Sequence, residues 1–355
     1  MSSPDSPEGP EGRDGRDPVA DLRQIAFLLE RSGEPSYRVR AFRKAAATVA
    51  ALDATELADR AANGTLRELA GIGEVTARTV AESVSGEVPV YLRRLLATGG
   101  EPVAAGGERI RAALRGDCHT HSDWSDGGSP IREMAEAARA LGHEYMVLTD
   151  HSPRLTVARG LTAERLRRQL AVVAELNEEL APFRILTGIE VDILADGGLD
   201  QEEELLAQLD VVVASVHSEL RMPGPEMTER MVRAIANPHT DILGHCTGRQ
   251  IGKLGRSGKP RPESEFDAEL VFAACARFGV AVEINCRPDR LDPPKRLLRL
   301  AVEANCRVSI DTDAHAPGQL DWLPYGCARA AACGVPLESI LNTNPADKLL
   351  ELVRR

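Results

Sequence analysis

The spacing of apolar residues along the chain changes near residue 115. Between residues 18 and 99 they recur every three or four positions, as in VADLRQIAFLLERSG, which predicts a small all-α domain. Across residues 116–355, short β-rich runs such as EYMVLTD and DVVVASVH alternate with helical segments. Seven strand–helix units in succession predict an α/β fold with a parallel sheet, most simply closed into a (β/α)7 barrel. An open doubly wound sheet is the alternative, although no glycine-rich nucleotide turn follows the first strand.

The segments outside these two domains differ in composition. Residues 1–17 are rich in proline, glycine and charge and lack the apolar core of a signal peptide, which predicts a disordered lead-in. Residues 100–115 are glycine-rich without a clear apolar face, and we interpret them as a linker. No apolar run approaches the length of a membrane span. The seven cysteines form no C-x-x-C pair, which disfavours a disulfide framework or a thiolate zinc site and predicts a reduced, cytoplasmic protein.

The net charge of −11 argues against a protein that coats nucleic acid over its whole surface. Acidic and basic residues nearly balance in residues 18–99, so the excess acid lies almost wholly beyond that domain. We expect bound metal ions to neutralise part of it.

Residues that bind metals occur at the end of most predicted strands. The first strand ends in HTH, with an aspartate in the loop beyond it, and the last ends in DTDAH. The C-terminal strand ends of a β/α barrel meet at one face, so these residues are expected to converge. A single histidine at a strand end is more often simply hydrogen-bonded, but six of the eight histidines follow this pattern, and only His143 and His239 are assigned to structure. The candidate ligands are His119, His121, Asp126, His151, Glu190, His217, His245, Asp313 and His315.

The types of donor atom narrow the chemistry. Nitrogen and oxygen donors without thiolates suit Zn²⁺, Mn²⁺ or Fe²⁺. Nine donors are too many for one ion, so two or three divalent ions are expected, with Glu190 available as a bridge. Such clusters turn water into hydroxide near neutral pH and stabilise the attacking and leaving oxygens at phosphorus.

The motifs HTHSDWSDG, TDHS, GIEVDI, SVHS, LGHCTGR, EINCRPDRLDPP and DTDAH, in this order, resemble those of the PHP (polymerase and histidinol phosphatase) family. They are most similar to the PHP domain that ends bacterial family X DNA polymerases, and the resemblance covers residues 116–355. It implies a distorted, TIM-like barrel of seven strands with a trinuclear metal site. It assigns the first ion to His119, His121, Glu190 and Asp313, the second to Glu190, His217 and His245, and the third to Asp126, His151 and His315. No ligand position is lost, which implies an active enzyme.

A basic loop, TGRQIGKLGRSGKPRP, follows His245 and contains no acidic residue. Beside a metal cluster such a loop suits a phosphate group or a nucleic-acid backbone, and a solvated surface loop is the alternative. Arg249, which is nearest the histidine, is the leading candidate for a phosphate contact and is assigned to catalysis together with Asp313 and His315. Further candidates for substrate binding are Lys253, Arg256, Asn285 and Arg290, whereas nothing in the sequence distinguishes Arg287.

Residues 18–99 resemble the N-terminal helical domain of family X polymerases, and LAGIGEVTARTVAE resembles a helix–hairpin–helix. The backbone amides of Gly71, Ile72 and Gly73 can meet a DNA phosphate at a helix N-terminus, and a tight helix–helix turn is the alternative. The helix after the hairpin lacks the lysine that lyases of this family use, so Schiff-base cleavage of abasic sites is not expected. Only residues 100–115 separate this domain from the barrel, which leaves no room there for the polymerase palm and its paired aspartates.

These features favour a metal-dependent phosphoesterase that acts on DNA, either as a 3′–5′ exonuclease or in the processing of 3′ ends and abasic sites. A small-molecule phosphatase of the histidinol-phosphatase type is the second interpretation, with the helical domain as a relic or a partner-binding module. A non-catalytic DNA-binding or scaffold protein is the third, and the complete set of ligands speaks against it.

Overall fold

The computed structural model describes residues 16–99, 104–252 and 260–353, and the chain divides into two compact units between residues 101 and 102. Most of the predicted lead-in, residues 1–15, lies outside the described residues. Its last two residues are ordered, because the Asp17 side chain accepts a hydrogen bond from the Val19 amide and Arg16 Nη2 lies 2.6 Å from the Asp21 carboxylate.

The N-terminal unit is all-α, as the spacing of its apolar residues predicts. Its helices are α1 (Pro18–Arg31), α2 (Ser36–Ala50), α3 (Ala54–Asn63), α4 (Glu74–Val84) and α5 (Val90–Gly99). The side chains of Asp17 and Asp53 cap the first turns of α1 and α3, and Gly64 ends α3 in the left-handed conformation. The core of the unit includes Leu22, Ile25, Phe42, Val80 and Leu92.

The C-terminal unit is a nearly closed barrel of seven parallel strands, each paired with the next along the chain. The strands are β1 (Gly116–Thr120), β2 (Tyr145–Leu148), β3 (Arg184–Asp192), β4 (Val211–Ser215), β5 (Ile242–Leu243), β6 (Ala281–Asn285) and β7 (Val308–Asp311). Across the seam between β1 and β7, Thr120 bridges to Ala314, and the Cys118 amide donates to the Asp311 carboxylate at 2.9 Å. The predicted barrel is therefore confirmed, and the alternative of an open doubly wound sheet is wrong.

Helices alternate with the strands of this unit. They are α6 (Glu108–Ala113), α7 (Ile131–Ala140), α8 (Ala163–Leu180), α9 (Glu203–Leu206), α10 (Gly224–Ala236), α11 (Ala268–Phe278), α12 (Lys295–Glu303), α13 (Leu323–Ala332) and α14 (Ala346–Val353). Strands β1, β4 and β6 are buried at every position, as expected of a parallel sheet that helices cover. Within the described ranges, no helix has the length and apolar character that crossing a membrane requires.

Helix α6 lies inside the segment that the sequence indicates to be a linker. Ile110 and Leu114 are buried and belong to one apolar cluster with Trp322, Leu323 and Cys327. The second half of the segment is thus part of the barrel unit, whereas residues 100–103 lie outside the described residues. In the sequence, the spacing of four positions between Ile110 and Leu114 is typical of a helix, but the glycines before them make it hard to recognise.

Arg230 of α10 joins the ends of β3 and β4, two strands that carry candidate ligands. Its side chain is buried, and its Nε and Nη1 atoms donate to the carbonyl oxygens of Leu194 and Ser218 at 2.9 and 3.0 Å. The Nη2 atom donates to the carbonyl oxygen of Ile193. These carbonyl groups lie just beyond the two strands, so one guanidinium fixes both strand ends.

We expect Arg230→Met to destabilise the barrel by about 3 kcal/mol, because each buried carbonyl left unpaired costs about 1–3 kcal/mol. Urea unfolding followed by tryptophan fluorescence reports on the barrel unit alone, since both tryptophans, Trp124 and Trp322, lie there. Arg233→Met is the matched control, because the Arg233 side chain on the same helix is 59% exposed. Equal midpoints for the two variants would contradict this role.

Candidate metal centre

The barrel brings all nine candidate ligands to the C-terminal ends of its strands. His119 and Glu190 lie within β1 and β3, and the others lie in loops that follow β1, β2, β4, β5 and β7. Most of these side chains are buried, and only Asp126, His217 and His315 are more than a tenth exposed. Residues from opposite ends of the barrel sequence thus share one site, as the parallel topology predicts.

Glu190 lies at the centre of the group, with one carboxylate oxygen facing three imidazoles and the other facing two. Its Oε2 atom is 3.4, 3.6 and 2.8 Å from nitrogens of His119, His121 and His151, and its Oε1 atom is 3.2 and 2.9 Å from those of His217 and His245. Burial raises the pKa of this carboxyl, but His217 and His119 outweigh the effect and hold the pKa well below its usual value. Each oxygen faces its own set of nitrogens, an arrangement suited to bridging two cations.

Asp313 and Asp126 complete further sets of donors. Asp313 Oδ1 lies 3.4 Å from His121 Nε2. Asp126 Oδ1 lies 3.5 Å from His151 Nε2 and 3.3 Å from His315 Nε2. Three groups result, each with donor atoms within 4.8 Å of one another: His119, His121 and Asp313; His151, Glu190 and His217; and His121, Asp126, His151 and His315.

Several of these donor atoms are buried without a hydrogen-bond partner. They include Nε2 of His119, both ring nitrogens of His121 and both carboxylate oxygens of Glu190. Each buried polar atom left unpaired costs about 1–3 kcal/mol, so such a convergence of donors is suited to cations. The donors are nitrogen and carboxylate oxygen without thiolate, which fits Zn²⁺, Mn²⁺ or Fe²⁺. The residues present therefore fit two or three divalent ions.

Two buried carboxylates that the sequence interpretation missed orient the histidines. The Glu283 side chain in β6 is buried, with Oε1 2.6 Å from His119 Nδ1, and its Oε2 accepts a hydrogen bond from the His245 amide. Asp192 in β3 pairs with Nδ1 of His217. Such partners fix the ring orientation and the tautomer of a ligating histidine and raise its basicity. The signal in the sequence is an acid within the apolar runs GVAVEIN and GIEVDI.

A third buried carboxylate, Asp150, holds the loop that carries Asp126. It accepts hydrogen bonds from the Ser122 amide and hydroxyl at 2.9 and 2.6 Å, and from Gln169 Nε2 at 2.6 Å. The hydroxyl of Ser125 donates to it as well. Asp150, which precedes the candidate ligand His151 in the TDHS motif, therefore helps to fix the position of Asp126.

The structure does not support Arg249 as the main phosphate contact. Its Nε donates to the carbonyl oxygen of Arg290 at 3.0 Å, its Nη2 donates to the next carbonyl, and its Nη1 lies 3.6 Å from Glu263. The guanidinium is thus engaged by acceptors of the protein itself. The physical reason is a turn, closed by the Gly248 amide on the His245 carbonyl at 2.8 Å, which redirects the chain after the candidate ligand.

Arg290 and Arg287 lie beside Asp313 instead. Arg290 Nε is 3.5 Å from Asp313 Oδ2, and the Nε and Nη1 atoms of Arg290 are buried without a hydrogen-bond partner. Arg287 Nη1 lies 3.7 Å from Asp313 Oδ1 and 3.2 Å from His315 Nδ1. Asn285 Nδ2 donates to the Asp313 carboxylate at 3.2 Å. Two of the sequence candidates therefore lie at the ligand group, together with an arginine that the sequence did not distinguish.

His143 and His239, two other residues that the sequence singles out, do not join this group. Lys253 and Arg256 lie outside the described residues. His143 is buried, and burial lowers its pKa to about 3, so its ring is neutral. His239 Nε2 lies 3.6 Å from Glu203. Neither histidine contributes to the three donor groups.

The predicted hairpin of the helical unit lies between a 3₁₀ turn at Leu66–Glu68 and α4. Gly71 has φ of +92°, and a Cβ there would lie 2.7 Å from the Lys44 side chain, so the fold itself requires this glycine. Ile72 is 7% exposed and belongs to the core, and its amide donates to the Leu69 carbonyl oxygen at 3.1 Å. At Gly73 an added Cβ would meet no described atom within 4 Å. The Gly73 amide donates to the Thr76 hydroxyl at 2.9 Å, so the protein itself engages two of the three amides that the sequence assigns to a phosphate.

Segments of both units match known family models. Residues 117–287 match the family model of the PHP domain, and residues 15–87 match that of a helix-hairpin-helix domain. The DNA polymerase/3′-5′ exonuclease PolX of Bacillus subtilis (strain 168) is 40% identical over 242 residues, which cover 68% of this chain and 41% of that protein. The chain therefore spans less than half the length of that relative.

Two further similarities concern phosphatases. A probable phosphatase of Thermoanaerobacter sp. (strain X514) is 27% identical over 239 residues, which cover 64% of this chain and 90% of that protein. The crystal structure of histidinol phosphate phosphatase from Lactococcus lactis subsp. lactis Il1403, complexed with Zn, L-histidinol and phosphate, is 19% identical with a TM-score of 0.46. That alignment covers 61% of this chain and 92% of the phosphatase chain.

We expect Glu283→Gln to weaken divalent-metal binding about 10- to 100-fold, because it removes the negative charge that orients His119 and supports its basicity. Competition between the protein and a fluorescent chelator for Mn²⁺ measures the affinity. Glu303→Gln, at an exposed position at the end of α12, is the matched control. Equal affinity in both variants would mean that Glu283 does not tune the ligand.

Proposed function

We propose that this chain, a PHP-family protein with an N-terminal helix–hairpin–helix domain, uses its metal-dependent phosphoesterase centre on DNA. The observation that carries the proposal is the presence, in one chain, of a full set of ligands and a helical domain of a DNA-binding type. The three donor groups all lie in the barrel unit, so the helical domain has a role other than building the centre. Holding a nucleic acid near the centre is the role that its family suggests.

The relative from Bacillus subtilis supports a more specific reaction. Its name includes a 3′-5′ exonuclease activity beside polymerase activity, and it is 40% identical to this chain over the aligned residues. We therefore propose removal of nucleotides from 3′ ends, or the processing of blocked 3′ ends and abasic sites, as the reaction of this chain. DNA is its proposed partner.

In this proposal, different residues of the chain have different roles at the metal centre. The nine candidate ligands would hold divalent ions, and such ions would lower the pKa of a water and supply positive charge for the oxygens at phosphorus. Arg290 and Arg287, which lie beside Asp313, hold non-bridging phosphate oxygens through charge-assisted hydrogen bonds. Glu283 keeps a proton on Nδ1 of His119, so that the lone pair of Nε2 faces the centre.

A small-molecule phosphatase of the histidinol-phosphatase type is the second candidate. The observation that favours it is the alignment of 239 residues with a probable phosphatase, which covers 90% of that protein. The helical domain would then bind a partner other than the substrate.

The first test compares two substrates of the Mn²⁺-loaded chain: a labelled duplex with a recessed 3′ end, and histidinol phosphate. We expect the wild-type chain to shorten the labelled strand and His119→Ala to leave it intact, because that substitution removes a ligand. Gel analysis measures the shortening, and a phosphate assay measures release from histidinol phosphate. Phosphate release from the small molecule alone would replace DNA with a metabolite as the substrate.

Within the same test, Gly73→Ala examines the helical domain. An added Cβ meets no described atom of the protein, so the fold tolerates it, but it occupies the approach of a phosphate to the amides that begin α4. We expect the rate on the duplex to fall about fivefold more than the rate on 4-nitrophenyl phosphate, a difference of about 1 kcal/mol. Equal changes in the two rates would mean that the hairpin does not bind the DNA substrate.

We expect Arg290→Gln to lower kcat/KM for 4-nitrophenyl phosphate about 10- to 100-fold, because a hydrogen bond to a charged group is worth about 1.5–3 kcal/mol. Arg249→Gln should lower it by a smaller factor, since protein carbonyls engage that guanidinium. Steady-state kinetics of the two variants decide the order. A larger loss in Arg249→Gln would restore the assignment drawn from the sequence.

A further inference from the structure

A cavity of about 790 Å³ opens beside the loop that carries Arg290, and its volume lies within the range of small-molecule sites. Arg249 forms part of its wall and connects it to that loop, since Arg249 Nε donates to the Arg290 carbonyl oxygen at 3.0 Å. Arg290 Nε in turn is 3.5 Å from the candidate ligand Asp313. The cavity is therefore next to the metal centre, although none of the nine candidate ligands lines it.

Arg261 is a second cation on the wall of this cavity. Its backbone forms two hydrogen bonds of 2.8 Å with Gln250, and its Nε donates to the carbonyl oxygen of Gly248 at 2.6 Å. Burial and the neighbouring charge of Arg290 both lower the pKa of this guanidinium. A half-buried cation next to another cation is stabilised by an anion between them.

Arg290 faces Asp313 but keeps hydrogen-bond donors that no acceptor engages. Its side chain is 13% exposed, and its Nε and Nη1 atoms are buried without a hydrogen-bond partner. If one phosphate occupies Arg290 at the centre, a second phosphate of the same molecule can reach Arg261. Arg296 in α12 also lines the cavity, paired with Glu263.

The rest of the wall is partly apolar and partly polar. Pro260, Pro262, Phe266 and Leu297 line the cavity, and so do Glu263 and Glu265. Three guanidinium groups against two carboxylates, with apolar side chains between them, suit a molecule with a flat apolar part and a negative charge. A nucleoside that carries a phosphate has this character, whereas a small phosphomonoester does not need such a space.

We infer that this cavity binds the nucleoside and the second phosphate that adjoin the phosphate at the metal centre, so that Arg261 and Arg296 select nucleotides with two phosphates over simple phosphomonoesters. The inference rests on the proposed function and deepens it, because successive phosphates joined through a nucleoside are the repeating unit of DNA. Under this inference, the residues around Arg249 contact the substrate, but not at the phosphate that lies at the metal centre.

The test measures competitive inhibition of 4-nitrophenyl phosphate hydrolysis by the Mn²⁺-loaded full chain. The two inhibitors are thymidine 5′-monophosphate and thymidine 3′,5′-bisphosphate, and the readout is the ratio of their inhibition constants. We expect the bisphosphate to bind about tenfold more tightly in the wild type, as one additional charge-assisted contact provides. Arg261→Gln and Arg296→Gln should each bring this ratio towards one.

Arg299→Gln is the matched control, because Arg299 lies on the same helix as Arg296, is exposed and does not line the cavity. It should keep the wild-type ratio. The Arg296 side chain is 64% exposed, so its substitution tests the inference even if Arg261→Gln fails to fold. A wild-type ratio near one, or a ratio that survives both substitutions, overturns the inference.

Failure of the proposed function gives a different result. The ratio would then depend on Arg261 and Arg296 as expected, but the chain would not shorten the labelled duplex. In that case the cavity selects a nucleotide with two phosphates other than DNA, and the inference about the cavity stands.

Discussion

The buried carboxylate of Glu190 is the constraint on which the rest of the centre depends. Burial disfavours the charged form of a carboxyl group, and the Glu190 side chain is only 1% exposed. Here the surrounding imidazoles reverse that effect and keep its pKa low. These rings come from the ends of β1, β2, β4 and β5, which meet around β3 only because the strands are parallel and in sequence order. The strand order therefore places the imidazoles around Glu190, and these imidazoles keep its carboxylate charged.

A second layer of acid lies behind the imidazoles. Glu283, Asp192 and Asp150 are buried and hold two histidines and the loop of Asp126. This layer accounts for part of the excess acid that the sequence places beyond residue 99. These three carboxylates face rings and loops of the protein and do not add to the negative charge of its surface. Arg287 and Arg290, the cations proposed to bind a substrate, lie on a separate loop.

The convergence of the candidate ligands could be predicted from the sequence, whereas the direction of the arginine side chains could not. The strand pattern and a parallel sheet are enough to place a residue at a strand end. The three donor groups contain eight of the nine candidates, and His245 lies 2.9 Å from Glu190. The direction of a guanidinium depends on a turn and on loops distant in sequence, which is why Arg249 is engaged by carbonyls and Arg290 is not. The role of Glu283 depends on His119, 164 residues away, so the local pattern marks a buried acid but does not identify its partner.

The loop between β6 and α12 contacts both the candidate metal centre and the wall of the neighbouring cavity. Its arginine side chains lie beside Asp313, its carbonyl oxygens hold Arg249 at the cavity wall, and the Asp292 carboxylate accepts from the Thr247 hydroxyl at 2.7 Å. The amide of Ile251 donates to the Asp289 carbonyl of the same loop. One segment therefore fixes both the cations beside the ligands and the wall of the neighbouring cavity. Under the proposed function, a displacement of this loop would change the contacts with the reacting phosphate and with its neighbour together, so substrate length and hydrolysis rate would be coupled.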